Sequence, residues 1–270
     1  MKLAPSSMSC VLEVSATTAQ TPRFDVCFAQ TDAEVRESQG LRYRIFADEL
    51  GASIKGGEAG LDQDRFDPWC KHLLVRDTRN GRIIACTRIL TDRNARCAGG
   101  FYSAGEFDLA MVDSLPGRVM EIGRTCVDSD YRSGAVIATL WQGIAAYITA
   151  EGYDYLFGCA SIGLEDGGAQ AHAILEQIRR RYLAPSYQHV QPLYPLPAAD
   201  ARPAQKVKMP PLLKAYVSLG AKACGEPYWD RAFNCADVFM LLNVSDLNPR
   251  YARHFMGRTS ASEPAIAGHA

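Results

Sequence analysis

The feature that most constrains this chain is the segment 118–160, where strand, turn, striped helix and second strand follow one another without a break. Ile137, Leu140, Trp141, Ile144, Ala145 and Ile148 fall at i, i+3, i+4, i+7, i+8 and i+11. That is one buried stripe of a helix over 136–150, and Gly152 ends it. Arg118 to Val127 precedes the helix as a strand. Tyr153 to Ala160 (YDYLFGCA) follows as an apolar run suited to the centre of a sheet. The fold class is α/β.

The rest of the chain extends the pattern. Arg23 to Ala29 alternates Phe24, Val26 and Phe28 as a short strand. Thr31 and Glu34 form a capping box that opens a helix to about Leu50, stopped by Gly51. Residues 52–70 read as a long Gly- and Asp-rich loop. His72 to Val75 and Arg82 to Leu90 are strands joined around Asn80-Gly81, a strong hairpin signal. Ala171, Ile174, Leu175, Ile178 and Tyr182 stripe a second amphipathic helix. A Pro-rich excursion occupies 184–211, then a short helix over Leu212 to Ala223 and a late strand over Ala236 to Asn243. The expectation is one domain over 24–256, between a disordered leader, 1–23, and a loose tail, 257–270.

Composition then excludes several classes. A formal net charge of −1 leaves no whole-molecule basic footprint for nucleic acid. No apolar run approaches the ~20 residues of a membrane span, and Glu13 interrupts the leader's one apolar stretch, unlike a secretory signal. Nine cysteines without a CxxC pair suit reduced thiols in the cytosol. Cys70-x-His72 beside Asp67 lacks metal-ligand spacing, and neither a P-loop nor a GxGxxG is present. The charge is uneven, however. Residues 171–222 carry eight Lys/Arg (Arg179, Arg180, Arg181, Arg202, Lys206, Lys208, Lys214, Lys222) against Glu176 and Asp200. Such a stretch suits an acidic partner, an anionic membrane surface or a plainly solvated face.

The chemistry concentrates at Glu121-Ile122-Gly123-Arg124 and at Arg132-Ser133-Gly134, which opens the long helix. In a regular strand Glu121 and Arg124 point to opposite faces, because their separation is odd. A bulge at Gly123 brings both to one side and splays the strand from its neighbour. The helix N-terminus at Ser133-Gly134 offers free N–H groups to a phosphate.

This strand, turn and helix resemble the core of the Gcn5-related N-acyltransferase fold. The resemblance implies a mixed central sheet with a splayed bulged strand, flanked by helices, in which the helix N-terminus holds a phosphopantetheine thioester through Arg132, Ser133 and Gly134. The loop departs from the coenzyme A pattern R/Q-x-x-G-x-G/A by lacking its second glycine, which leaves room for a donor with one phosphate. Leu41-Arg42-Tyr43-Arg44-Ile45-Phe46, Asp62-x-Asp64-x-Phe66-Asp67, Arg88 and Glu121-x-x-Arg124 are similar in order to acyl-homoserine-lactone synthases. On that resemblance Arg42, Phe46, Asp64, Asp67, Arg88, Glu121 and Arg124 form the polar site. Ala52 stands where those synthases place a tryptophan in the pocket of their methionine-derived substrate.

A closer likeness covers 24–256. Phe101 to Leu109 (FYSAGEFDL), Leu156 to Ser161 (LFGCAS), Pro210 to Tyr216 (PPLLKAY), Gly225-Glu226-Pro227 and Asp237-Val238-Phe239 together resemble the L-ornithine N-α-acyltransferases. The likeness implies transfer of a 3-hydroxyacyl group from acyl carrier protein to the α-amine of L-ornithine, the first step of ornithine-lipid synthesis. It implies no bound cofactor and no metal; the 4'-phosphopantetheine arm of the carrier is the donor. The location implied is cytoplasmic, with peripheral contact at the inner membrane. Glu121 is then the base, aided by Arg124, with Arg42 or Arg88 for the acceptor carboxylate and Asp64 or Asp67 for its side-chain ammonium. Arg179, Arg180, Arg181, Lys206, Lys208 and Lys214 are the carrier-docking face. Arg42, Asp64 and Asp67 equally suit stapling the 52–70 loop to the first helix. A lactone synthase, an N-acetyltransferase, a glycine-, glutamine- or lysine-acylating relative and a non-catalytic binding module all stay open on the sequence.

Overall fold

The computed structural model of the chain describes residues 22–54, 59–198 and 207–247. The expected leader up to residue 21 and the tail from 257 lie outside these residues, as does Lys206. In chain order the elements are β1 (Phe24–Phe28), α1 (Asp32–Tyr43), β2 (Lys71–Asp77), β3 (Ile83–Thr91), α2 (Asp92–Ala98), β4 (Phe107–Asp108), α3 (Ala110–Asp113) and β5 (Val119–Val127). There follow α4 (Gly134–Glu151), β6 (Tyr155–Gly163), α5 (Ala169–Arg181), β7 (Gln191–Pro192), α6 (Pro211–Leu219), β8 (Lys222–Ala223), β9 (Tyr228–Asp230) and β10 (Cys235–Asn243).

The main sheet runs β1-β2-β3-β5-β6-β10-β8, with β9 also on β10. Every pairing in it is antiparallel except β5 with β6, which the crossover helix α4 joins. The mixed sheet is thus as expected. Alternation along the strands sorts the side chains. Met120, Ile122, Leu156, Ala160, Ile162, Val238 and Met240 join the α4 stripe (Val136, Leu140, Trp141, Ile144, Ile148) in the main core. Val119, Phe157, Phe239 and Leu241 go to the opposite face, where Phe107 closes a second core. Fully burying each large apolar side chain contributes about 1.5–3 kcal/mol.

Local differences from expectation have local causes. The first helix keeps its capping box but changes at Arg44 into a π-helical stretch, Arg44–Glu49. The expected helix to Ala223 stops at Leu219, because Gly220 turns left-handed (φ 109) and Lys222–Ala223 pair with β10. The strand expected from Tyr153 begins at Tyr155, and Tyr153 packs its ring against Tyr147 instead. The helix α2 follows β3 directly, capped by Thr91 and ended by Gly99.

One irregularity positions everything that follows. β5 pairs with β6 only from Val119 to Glu121, opposite Tyr155 to Phe157. On its other side Gly123 faces Arg88 and Cys126 faces Cys86, so Arg124 and Thr125 together oppose Thr87. Arg124 takes up the extra residue at φ 52, one position after the glycine where the bulge is expected. β6 stays paired with β10 through Gly163. Beyond Glu121, β5 follows β3 and parts from β6.

Candidate active site

Glu121 sits where the two strands part, 3% exposed. The backbone N–H groups of Tyr102 (2.7 Å) and Ser103 (2.8 Å) donate to its carboxylate, and so does the Ser103 hydroxyl (2.5 Å). Burial pushes this carboxyl up, with those three donors opposing. The Arg124 guanidinium lies 4.8 Å from the centre of the Tyr102 ring, so Glu121 and Arg124 converge on one residue. Gly158 on β6 packs at the same place. A Cβ there would collide with the Ile122 carbonyl and stand 2.8 Å from the Tyr216 hydroxyl.

Beside this lies a network of three arginines and three aspartates. Arg42 is wholly buried; its Nε donates to Asp62 (2.8 Å), Nη1 and Nη2 to Asp67 (3.0 and 3.1 Å), and Nη2 also to the Asp62 carbonyl. Arg88 Nη1 donates to Asp64 (2.6 Å) and Asp67 (3.1 Å). Arg124 Nε meets Asp62 at 3.1 Å, and its Nη2 lies 3.6 Å from Asp64. Burial raises the Asp67 carboxyl, but Arg42 and Arg88 outweigh it and hold it down to about 2. Asp64 is lowered too, Arg88 and Arg124 outweighing burial. Arg42 and Asp67, expected either to bind substrate or to staple the loop to the first helix, here bond to each other, with Asp62 as the second partner of Arg42. His72, lowered by burial, completes the same corner, its Nε2 3.1 Å from the Asp67 carbonyl.

A cavity of about 790 Å³ opens where β5 and β6 part. Its wall takes Phe46 and Leu50 from the π-helical stretch, Thr125 and Cys126 from β5, and Ile137 and Trp141 from α4. Ser161, Cys235 and Phe233 line it too, with Leu212, Lys214 and Ala215 of α6. Phe46 sets its edge on Phe233, 5.7 Å between ring centres. Arg132, Ser133 and Gly134 reach the same wall. Ser133 leaves its side chain off the first N–H groups of α4, while Arg132 Nη2 pairs with Glu49 at 2.5 Å.

On the basic stretch the structure separates the residues. Arg179 is held by Glu226 (2.6 Å) and Glu176 (3.3 Å). Arg180 and Arg181 are exposed, as are Lys208 and Lys214. Several side chains at the site go unmarked by sequence reasoning. Tyr102 and Ser103 lie in a short turn without periodicity. Asp62 is passed over for its neighbours Asp64 and Asp67. Glu106, Asp237 and Tyr216 appear only inside stretches of likeness.

A mixed sheet split at a bulged strand, with a buried carboxylate at the split, defines an acyltransferase of the Gcn5-related class. Residues 41–142 match the family described as an acetyltransferase (GNAT) domain. The backbone resembles the AHL synthase LasI (TM-score 0.52, 12% identity, 87% of this chain and 95% of that one). It also resembles FeeM, an N-acyl amino acid synthase from uncultured soil microbes (TM-score 0.50, 16% identity, 84% and 94%). The sequence is 36% identical over 250 residues to the L-ornithine N(α)-acyltransferase of Agrobacterium fabrum, covering 85% of this chain and 84% of that protein. It is 35% identical over 249 residues to that of Brucella abortus, covering 86% and 88%. The chain belongs to the L-ornithine N(α)-acyltransferase family.

Proposed function

We propose that this chain moves a 3-hydroxyacyl group from acyl carrier protein to the α-amine of L-ornithine, the first step of ornithine-lipid synthesis. The cavity carries this reading: about 790 Å³, walled by Phe46, Ile137, Trp141 and Leu212, it reaches both the open N-terminus of α4 and the parting of β5 and β6. An acyl chain suits those walls, and the single phosphate of a pantetheine arm suits the first turn of α4. Arg124 takes the acceptor carboxylate, because it keeps 14% of its side chain exposed where Arg42 and Arg88 keep 0% and 4%.

The amine nitrogen attacks the thioester carbonyl and the C–S bond breaks. Of the two protons the ammonium loses, one leaves through Glu121 and the other with the thiol. Burial makes Glu121 the stronger base for that task. Backbone N–H groups at the bulge hold the developing oxyanion, worth ~3 kcal/mol per donor. Among the described residues no helix is long and apolar enough to cross a membrane. Exposed Tyr187, Leu193 and Tyr194 support peripheral contact with the inner membrane, at its cytoplasmic face.

Purified protein is offered 3-hydroxyacyl carrier protein or the matching acyl coenzyme A, with ornithine, lysine, glycine or glutamine, and products are read by mass spectrometry. The expected product is α-N-acylornithine, formed faster from the carrier. Equal use of coenzyme A overturns the donor, and preference for another amino acid overturns the acceptor.

A further inference from the structure

Next to Glu121 lies a second set of carboxylates with which the ionic network makes no ion pair. The Cys159 thiol donates to Glu106 at 3.3 Å and lies 3.4 Å from the Ser103 hydroxyl, which itself donates to Glu121. Asp237 on β10 accepts from the Ser161 hydroxyl at 2.5 Å and from the Cys235 thiol at 3.7 Å. Asp230, Cys235 and Asp237 bring their ligand atoms within 4.8 Å of one another. Glu106 is 7% exposed and Asp237 4%.

No Lys or Arg stands within ion-pair distance of Glu106 or Asp237 among the described residues; Arg124, which acts on Asp237 from further off, makes its ion pairs with Asp62 and Asp64 and keeps 14% of its side chain exposed. Neutral thiols and a hydroxyl are their donors. Buried carboxylates are ordinarily paired, so this group is one cation short. An independent observation points to a ligand here. The Tyr216 hydroxyl is fully buried at Gly158, on the main-core face of the sheet, feels the charges of Cys159 and Glu121 through the parting of β5 and β6, and has no hydrogen-bond partner among the described residues. The group is also within reach of the cavity, since Ser161 and Cys235, the two donors on Asp237, form part of its wall.

We infer that Glu106 and Asp237 receive the side-chain ammonium of the acceptor and so select a dibasic amino acid. The inference rests on the reading that ornithine is the acceptor. Arg124 holds the carboxylate of such a substrate, Glu121 faces its α-amine, and the carbon chain crosses the Cys159 position between them. Desolvation pushes both carboxyls up in the free protein, Asp237 to about 6, with Asp237 repelling Glu106 and Asp230 repelling Asp237; a bound ammonium offsets that repulsion.

The test compares L-ornithine with L-norvaline, the same carbon skeleton without the δ-amine, in wild type, Asp237→Asn and Glu106→Gln. The readout is the ratio of kcat/KM for the two acceptors. A site built for a charged group discriminates by roughly 10–100-fold in wild type, and each substitution brings the ratio at least tenfold closer to one. A ratio unaltered in both variants overturns the inference, and so does a wild-type ratio near one. In parallel, thermal shift of the wild-type protein needs neither turnover nor a folded variant. Ornithine raises Tm and norvaline does not; equal shifts, or a shift with Mg²⁺ or Mn²⁺ that ornithine cannot displace, overturn it. If wild type acylates neither amino acid, the proposed reaction fails, while the thermal shift still decides on the ammonium site.

Discussion

The charges around Arg42 and those around Asp237 are both buried, yet they are built oppositely. Three guanidiniums meet three carboxylates in the first set, and Asp67 is driven down to about 2. The second set is carboxylates alone, and Asp237 is driven up to about 6. In the balanced network each charge is met within the set, and of its three guanidiniums Arg124 keeps the most side chain exposed, 14%. An unbalanced one is left incomplete by the fold. The difference separates residues that look alike on paper: Asp67 accepts from two guanidiniums, whereas Asp237 accepts from a hydroxyl and a thiol.

Breaking the balanced side produces the largest effect. Arg42→Ala leaves Asp62 and Asp67 buried without their main partner, a loss of roughly 3–5 kcal/mol. Urea unfolding of the variant reads it directly. A cost below 1 kcal/mol means the network is not what holds the loop. Glu121→Gln keeps volume and removes basicity. A fall of ~10²-fold in kcat, equivalent to about 2.7 kcal/mol, is expected with nearly unchanged stability. Full turnover at neutral pH refutes the base role, and unfolding assigns Glu121 to structure.

The two sets also carry opposite pH signs. Asp67 binds its proton more weakly folded than unfolded, so its contribution is complete above its ordinary 3.8 and is lost as pH falls toward 2. Asp237 binds its proton more tightly folded, so between its ordinary 3.8 and about 6 the native state holds the extra proton and stability falls as pH rises. Asp237→Asn removes that slope. The variant gains on wild type from pH 4 to pH 7 by roughly 2 kcal/mol. Parallel stability curves for the two proteins would show that Asp237 is not strained.

Much of this is legible in the sequence, for reasons that differ by residue. Glu121 and Arg124 are readable as a pair because strand parity is arithmetic, and a bulge is the one device that resolves an odd spacing. The α4 stripe is readable because it repeats over three turns. Arg42 and Asp67 are readable only as two alternatives, stapling or binding, since burial chooses between them and a sequence does not display burial. Ser103 lies in the short turn Tyr102–Gly105 and Glu106 caps it, just before a two-residue strand, Phe107–Asp108, all too brief for any period. Asp237 sits in an apolar run of β10, where it passes for an exception until Ser161 and Cys235 close on it.

The same distinction between matched and unmatched charge extends to the surface, with the smallest effect. Arg179 spends its guanidinium on Glu226 and Glu176, whereas Arg180 is 78% exposed with one long contact to Glu176, and Arg181 is exposed beside it. An acidic carrier protein must dock, deliver and leave, and long-range attraction serves that by raising the encounter rate. Reversing Arg180 and Arg181 together to Glu is expected to lower kcat/KM for acyl carrier protein several-fold. The effect shrinks with salt, because the Debye length falls from ~10 Å at 0.1 M to ~3 Å at 1 M. Anionic lipid is the rival user of these charges, at ~1 kcal/mol per basic residue near a membrane. Kinetics with soluble carrier and no membrane separate the two: an unchanged kcat/KM together with lost liposome binding gives this face to the bilayer.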